Sequence, residues 1–175
     1  MPTTLSLTVD QVRQMISHAQ MALPNESCGL LGGKAGRVHA VYPGANAEHS
    51  PVRFRMDPQD QLRAMNAIKL AGGDILGIFH SHPSGQVIPS PTDLAQAYYR
   101  DAVYVILASQ RSGEWQMRGY NLAMGRNRNV IRAVGMGAGL ATTLLDLVKG
   151  ALPIWMVKLI LPDSPWAKVE LQVEP

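Results

Sequence analysis

The sequence predicts a mixed α/β fold of the α+β type, in which helices flank a single mixed β-sheet. Short apolar segments bounded by glycine and proline are typical of strands, whereas two longer segments carry apolar residues at helical spacing. The two patterns alternate along the chain, which favours one layered domain over separate all-α and all-β units. With 175 residues, of which 46% are hydrophobic, we expect a single domain over residues 1–175.

The first third of the chain predicts one helix among several strands. A strand over residues 5–9 precedes a helix that we expect Asp10 to cap and Pro24 to end. Glu26 then lies just beyond the helix end. The next segments indicate a buried strand, its hairpin partner and a third strand after a loop: CGLLGG, RVHAVY and VRFRM.

A second helix is predicted in the middle of the chain. Asp57 and Pro58 have the residue types favoured at the N-cap and first helical position, and Gly72 and Gly73 end the apolar pattern. Three further strands follow, the first two apolar and the third alternating: DILGIFH, VYVILA and EWQMRGY.

The segment over residues 122–162 differs from the rest because it is rich in glycine and aliphatic residues and poor in charge. A final strand, VELQV, is expected to return to the sheet, which makes this segment an insertion or accessory element. It could form a helical element packed on the core, a homo-oligomer or substrate-protein contact, or a membrane-surface anchor. Its longest uncharged run, Ala133 to Leu145, has 13 residues, short of the about 20 that a spanning helix needs, so we expect no membrane span.

Charge and cysteine content narrow the class of protein. Lysine and arginine total 16 against 13 acidic residues, and these basic residues are scattered, so nucleic-acid binding is not indicated. The single cysteine, Cys28, excludes an intramolecular disulfide, and the first residues show no secretory signal pattern. We therefore expect a cytoplasmic location.

Metal-binding residue types cluster in the segment FHSHPSGQVIPSPTD. His80 and His82 lie two apart at the end of a strand, where alternate side chains point to the same side. Ser90 has the character of an N-cap, which places Asp93 in the first helical turn and lets it face the histidines. Two imidazoles and one carboxylate suit Zn²⁺ and leave a fourth position for water, as catalytic zinc sites require.

A zinc hydrolase also needs a general base for the activated water, and a carboxylate commonly has this role. Glu26 is our candidate, although it lies far upstream and sequence spacing alone does not place it at the metal. Glu48 and Asp74 remain alternatives from the same region. Cys28, two residues from Glu26, is interpreted as a small core residue, because nothing in the sequence provides a base for a thiol nucleophile.

These residues together resemble the JAMM (MPN+) metallopeptidase motif: Glu26, then His80-Ser81-His82, seven residues, Ser90, two residues and Asp93. The segments ESCGLLGG and GIFHSHP are also similar to that family, and the resemblance covers about residues 5 to 121. It implies a cytidine-deaminase-like fold and one Zn²⁺ per chain on His80, His82 and Asp93. It further implies Glu26 as the acid/base and Ser90 as a residue that helps to stabilise the oxyanion, a role compatible with helix capping.

Compact prokaryotic members of the family are similar to this chain in size. The resemblance therefore implies hydrolysis of a peptide or isopeptide bond at the C-terminus of a ubiquitin-like or sulfur-carrier protein. Two alternatives remain open: a metal-free interaction scaffold, as in the inactive branch of the same fold, and a zinc hydrolase of small peptides or other amides.

Overall fold

The computed structural model describes residues 4–110, 113–122, 136–137 and 167–174 of the chain. Its elements confirm the predicted mixed α/β class. The helices are α1 Val9–Ala22, α2 Pro58–Leu70 and α3 Pro91–Ala95. The strands are β1 Thr4–Thr8, β2 Cys28–Lys34, β3 Arg37–Gly44, β4 Asp74–His82, β5 Val103–Ser109, β6 Trp115–Asn121, β7 Met136–Gly137 and β8 Ala167–Glu174.

The described strands form one mixed sheet in the order β5-β4-β2-β3-β1-β8-β6-β7. β4 is antiparallel to β2 and parallel to β5, so it lies inside the sheet. Because β6 pairs with both β5 and β8, the sheet closes on itself. The predicted final strand VELQV falls within β8 and, as expected, returns to the sheet, parallel to β1.

Apolar side chains cover both faces of the sheet. One cluster joins α1, through Val12 and Met15, to Leu31 and Phe79 of the sheet. A second cluster joins α2, through Ile68, to strand residues on the opposite face of the sheet, such as Leu30, Ile78 and Ile106. Since neighbouring residues of a strand point to opposite faces, α1 and α2 pack on opposite sides of the sheet.

The sequence predicted the N-cap of α2 correctly and that of α1 incorrectly. The prediction that Asp10 caps α1 is wrong: Thr8 is the N-cap, because its hydroxyl accepts from the Gln11 N–H and the Gln11 side chain accepts from the Thr8 N–H. Asp10 lies in the first turn and pairs with Arg13. For α2 the prediction is confirmed, with Asp57 as N-cap and proline at the first position.

The prediction of a strand over VRFRM is also wrong, because this segment forms no strand and makes a single isolated bridge, between Asn46 and Met56. The reason is a side chain: the Asn46 amide takes the Arg55 N–H that a neighbouring strand would otherwise bind. The predicted insertion over residues 122–162 lies outside the described residues apart from the first residue and the backbone of β7. Among the described helices, none combines the length and apolar character needed to cross a bilayer.

Candidate active site

His80 and His82 occupy the carboxyl end of β4, as predicted. The preceding apolar residues of β4 are buried between β2 and β5, which fixes the backbone of this strand inside the sheet. His80 is completely buried and lies opposite Cys28 of β2, whereas His82 is partly exposed. Alternation along the strand puts both rings on the α2 side of the sheet.

Asp93 enters from the short helix α3, whose predicted start is confirmed. Ser90 is the N-cap, and its Oγ accepts from the Asp93 N–H at 3.1 Å. In return, Asp93 Oδ2 accepts from the Ser90 N–H at 2.7 Å. This reciprocal capping box holds the Asp93 carboxylate, which is 9% exposed, against the two histidines.

The three donor groups converge with spacings that fit a tetrahedral metal ion. The Nε2 atoms of His80 and His82 lie 3.1 Å apart, and each lies 3.4 Å from an Asp93 oxygen. Ligand atoms bound to zinc at 2.0 to 2.1 Å in a tetrahedron are about 3.3 Å apart. In the described part of the chain, these three residues form the group whose ligand atoms lie close enough together to hold a metal ion.

The electrostatics of the metal-free site favour the neutral ring of His80 and the ionised carboxylate of Asp93 that a metal requires, whereas they favour the protonated form of His82. Burial lowers the pKa of His80, which keeps its ring neutral. Burial opposes ionisation of Asp93, but the neighbouring rings of His80 and His82 hold its pKa well below the usual range. For His82, the effect of burial is outweighed by contact with Asp93 and the Gln86 carbonyl, so its pKa is raised.

Two neighbours orient the histidine rings. The Nδ1 of His82 lies 2.7 Å from the Gln86 carbonyl oxygen, which fits an Nδ1–H donor and leaves Nε2 as the free ligand atom. The Phe54 ring stacks on His80, with ring centroids 4.4 Å apart and an angle of 18° between the planes. His80 Nδ1 is buried and has no hydrogen-bond partner among the described residues.

The antiparallel pairing of β2 and β4 places Glu26 beside the histidines. Cys28 is opposite His80, and the next hydrogen bond, from the Ser81 N–H to the Ser27 carbonyl, continues the same register. Glu26 is therefore opposite His82 and, being two residues from Cys28, points to the same face. The 54 residues that separate Glu26 from His80 along the chain are spanned by strand pairing.

Glu26 is buried, at 4% exposure, and its Oε2 has no hydrogen-bond partner among the described residues. Burial raises the pKa of Glu26 to about 7, while His82 lowers it and Asp93 raises it. The carboxyl group thus lies within electrostatic reach of the metal-binding residues and changes its protonation state near neutral pH.

The two alternative carboxylates do not share this position. Glu48 forms an ion pair with Arg55, with Nε and Oε1 2.9 Å apart, in a loop near the surface. Asp74 is exposed at the opposite end of β4, about 20 Å from His80 at the usual rise of a strand. Cys28 is completely buried and burial raises the pKa of its thiol to about 12, which agrees with a core role.

Several residues that shape the site were not predicted from the sequence. Ser27 and Ser81 form a buried hydroxyl pair between β2 and β4, with their Oγ atoms 3.0 Å apart. Asn46 and Phe54 belong to the loop that covers this end of the sheet. Single polar or aromatic residues in a loop leave no periodic pattern, so no sequence signal identifies them.

Two curated relatives match this chain over most of their own length. The CysO-cysteine peptidase of Mycobacterium tuberculosis is 34% identical over 123 residues, which are 69% of this chain and 84% of the relative. The desampylase of Haloferax volcanii is 37% identical over 109 residues, 58% of this chain and 78% of the relative. A solution structure of a protein from Desulfitobacterium hafniense is 37% identical, with a TM-score of 0.58 over 67% of this chain and 84% of that one.

Two family models match different parts of the chain. A model described as glycerol-3-phosphate acyltransferase matches residues 123–172, a minority of the chain that contains none of the candidate site residues. The model for prokaryotic homologues of the JAB domain matches residues 8–119, which contain all of them. By this match and the curated relatives, the chain belongs to the prokaryotic JAB-domain branch of the JAMM/MPN family.

Proposed function

We propose that this chain is a zinc-dependent metallopeptidase that hydrolyses a peptide or isopeptide bond at the C-terminus of a ubiquitin-like or sulfur-carrier protein. The convergence of His80, His82 and Asp93 at 3.1 to 3.4 Å carries the proposal. The curated relatives, one a CysO-cysteine peptidase and the other a desampylase, support the reaction and the substrate class.

His80, His82 and Asp93 would hold one Zn²⁺ per chain, because they offer two imidazoles and a carboxylate at suitable spacing. Bound there, the ion supplies a Lewis acid that polarises a carbonyl group and makes water acidic near neutral pH. The Gln86 carbonyl fixes the ring of His82, and the Ser90 N–H fixes the carboxylate of Asp93. Both contacts reduce the reorganisation needed on metal binding.

Glu26 is proposed as the general base and acid. Its carboxylate takes a proton from the water that attacks the scissile carbonyl carbon, and then delivers that proton to the leaving amine nitrogen. Burial raises the pKa of Glu26 to about 7 in the metal-free site, and a cation held beside it would lower that pKa and favour the carboxylate form that accepts the proton. Its Oε2, which makes no hydrogen bond to the described residues, is available for this exchange.

Ser90 is proposed to stabilise the carbonyl oxygen as negative charge develops on it. Its Oγ already accepts a hydrogen bond from the Asp93 N–H, which leaves the hydroxyl proton free to be donated elsewhere. A donor of this kind contributes on the order of 2.7 to 4 kcal/mol to transition-state stabilisation. Capping and catalysis therefore use different parts of the same hydroxyl group.

Residues 1–175 are proposed to form a single domain, with residues 122–162 inserted between β6 and β8. The return of β8 to the sheet beside β1 and β6 supports this arrangement. The inserted segment is also proposed as a homo-oligomer or substrate-protein contact. A cytoplasmic location is part of the proposal, in agreement with the free thiol of Cys28.

The activity is tested by incubating the zinc-loaded protein with ubiquitin-like carrier proteins that are extended at their C-terminus by cysteine or a short peptide. Intact-mass spectrometry should show loss of the extension. The matched variant Glu26→Gln should bind the same amount of zinc and lose about 10²- to 10⁴-fold in rate.

The alternatives predict different results. A metal-free scaffold predicts neither bound zinc nor hydrolysis, and a hydrolase of small amides predicts cleavage of short peptides with the carriers intact. Cleavage at an undiminished rate by Glu26→Gln would remove Glu26 from the mechanism.

A further inference from the structure

The side chain of Asn46 uses all four of its hydrogen-bonding positions, three of them within the loop over residues 45–56 and the fourth on Glu26. Its Nδ2 donates to the Glu26 and Arg53 carbonyl oxygens, both at 3.0 Å. Its Oδ1 accepts from the Glu48 N–H at 3.0 Å and from the Arg55 N–H at 3.1 Å. An amide group can make no more bonds than this, and Asn46 is 9% exposed.

The same loop holds the backbone of Glu26 from both sides. The Glu26 N–H donates to the Ser50 carbonyl oxygen at 2.9 Å, and the Glu26 carbonyl accepts from Asn46. Glu26 lies before the first residue of β2, so these contacts replace regular sheet pairing at this position. The direction of the Glu26 side chain therefore depends on the loop as well as on the sheet.

Asn46 also fixes the aromatic ring that covers His80. Its hydrogen bonds to the Arg53 carbonyl and the Arg55 N–H hold the backbone immediately before and after Phe54. Phe54 stacks on the His80 ring. One amide thus connects the backbone of Glu26 to the ring that lies on His80.

We propose that Asn46 is a positioning residue that sets the Glu26 carboxylate relative to the His80 ring. The expected effect on kcat rests on the proposed peptidase function. The expected effect on the position of Glu26 rests on the hydrogen bonds alone. Asn46 acts through Glu26 and Phe54 and does not itself contact the reacting atoms. Reaction rate depends steeply on such placement, because a displacement of about 1 Å can cost about 100-fold.

The kinetic test uses Asn46→Asp, which keeps the size of the side chain but turns two donors into acceptors that face the Glu26 and Arg53 carbonyls. We expect kcat to fall about 10- to 100-fold, with KM and zinc content unchanged. In a Glu26→Gln background the same substitution should reduce kcat by much less than in the wild type, because the carboxylate through which most of the effect is exerted is already absent.

A second substitution and a control make the kinetic result specific. Asn46→Ala removes the amide without adding a charge and should lower kcat in the same way. If Asn46→Asp does not fold, Asn46→Ala takes its place in both backgrounds. The control is Glu48→Gln in the same loop, which removes the side-chain pair with Arg55 and leaves the Asn46 bonds to the backbone in place. Its kcat should equal that of the wild type.

A readout independent of activity separates this inference from the proposed function. Hydrogen exchange should be faster at the Glu26 amide in Asn46→Asp and unchanged in β5, because the loop that protects Glu26 loosens while the sheet remains. If the wild type hydrolyses no carrier, the proposed function fails and the exchange result alone decides the inference. Unchanged exchange at Glu26, or equal loss of kcat with and without Glu26, would overturn it.

Discussion

Replacing Glu26 by glutamine should make the metal-free protein more stable at neutral and alkaline pH. The buried carboxyl group has a pKa of about 7 in the folded protein, against 4.5 as its ordinary value, because burial disfavours the charged form. Its ionisation therefore opposes folding. Glutamine has nearly the same shape, carries no charge and leaves no buried carboxylate.

The size of the effect follows from the difference between the folded and ordinary pKa values. Each tenfold change in proton affinity corresponds to 1.36 kcal/mol, so ionised Glu26 lowers the free energy of unfolding by about 3 kcal/mol at pH 8. The penalty is small below pH 4.5, grows as pH rises to 7, and is constant above that pH. The gain from Glu26→Gln should therefore be about 1 kcal/mol at pH 5 and about 3 kcal/mol at pH 8.

Urea unfolding of chelator-treated wild type and variant at pH 5, 6, 7 and 8 measures this gain directly. Glu48→Gln is the control, since Glu48 is paired with Arg55 near the surface and its loss should change the unfolding free energy by less than about 1 kcal/mol. A Glu26→Gln protein that is no more stable than the wild type at pH 8, or a gain that does not grow with pH, would refute the reasoning.

Three further predictions concern the residues around the site. Gly29→Ala should lower the free energy of unfolding by about 1 to 3 kcal/mol in thermal or urea denaturation, because a Cβ there would overlap the Phe79 ring and a backbone carbonyl. Ser81→Ala should cost about 1 to 3 kcal/mol in the same assays, because the buried Ser27 N–H loses its acceptor at 2.8 Å. The thiol of Cys28, with a pKa of about 12 and no exposure, should resist a disulfide reagent at pH 8 in the native protein and react fully after denaturation.

Each of these predictions has a control or a contrary result. Gly113 has a φ of 82° and open space around it, so Gly113→Ala should show only the backbone strain of about 1 to 2 kcal/mol. Full stability of Ser81→Ala would mean that the strand-to-strand hydroxyl pair contributes nothing. Rapid labelling of native Cys28 would contradict its burial and reopen its role as a nucleophile.

Local sequence signals predicted the parts of the site that lie close together in the chain. Two histidines two residues apart on a strand share a face, and serine before proline favours a helix start, so the proximity of His80, His82 and Asp93 followed from short-range rules. The wrong N-cap of α1 had a local cause as well, because both Thr8 and Asp10 are good caps and the reciprocal bond to Gln11 decides between them.

The long-range parts of the site could not be derived from spacing. Glu26 reaches His82 because the register of β2 on β4 brings them together, and nothing in the sequence between them records that register. The false strand prediction for VRFRM has a more local origin. The Asn46 side chain, seven and nine residues before Arg53 and Arg55 in the same loop, binds their backbone groups, and hydrophobic periodicity does not register such a contact.

The most direct test of the central claim is an anomalous difference map at the zinc absorption edge from crystals of the zinc-loaded protein. We predict one peak per chain, within bonding distance of His80 Nε2, His82 Nε2 and an Asp93 carboxylate oxygen, at about 2.0 to 2.2 Å from each. The absence of a peak there, or a peak held by other residues, would contradict the account.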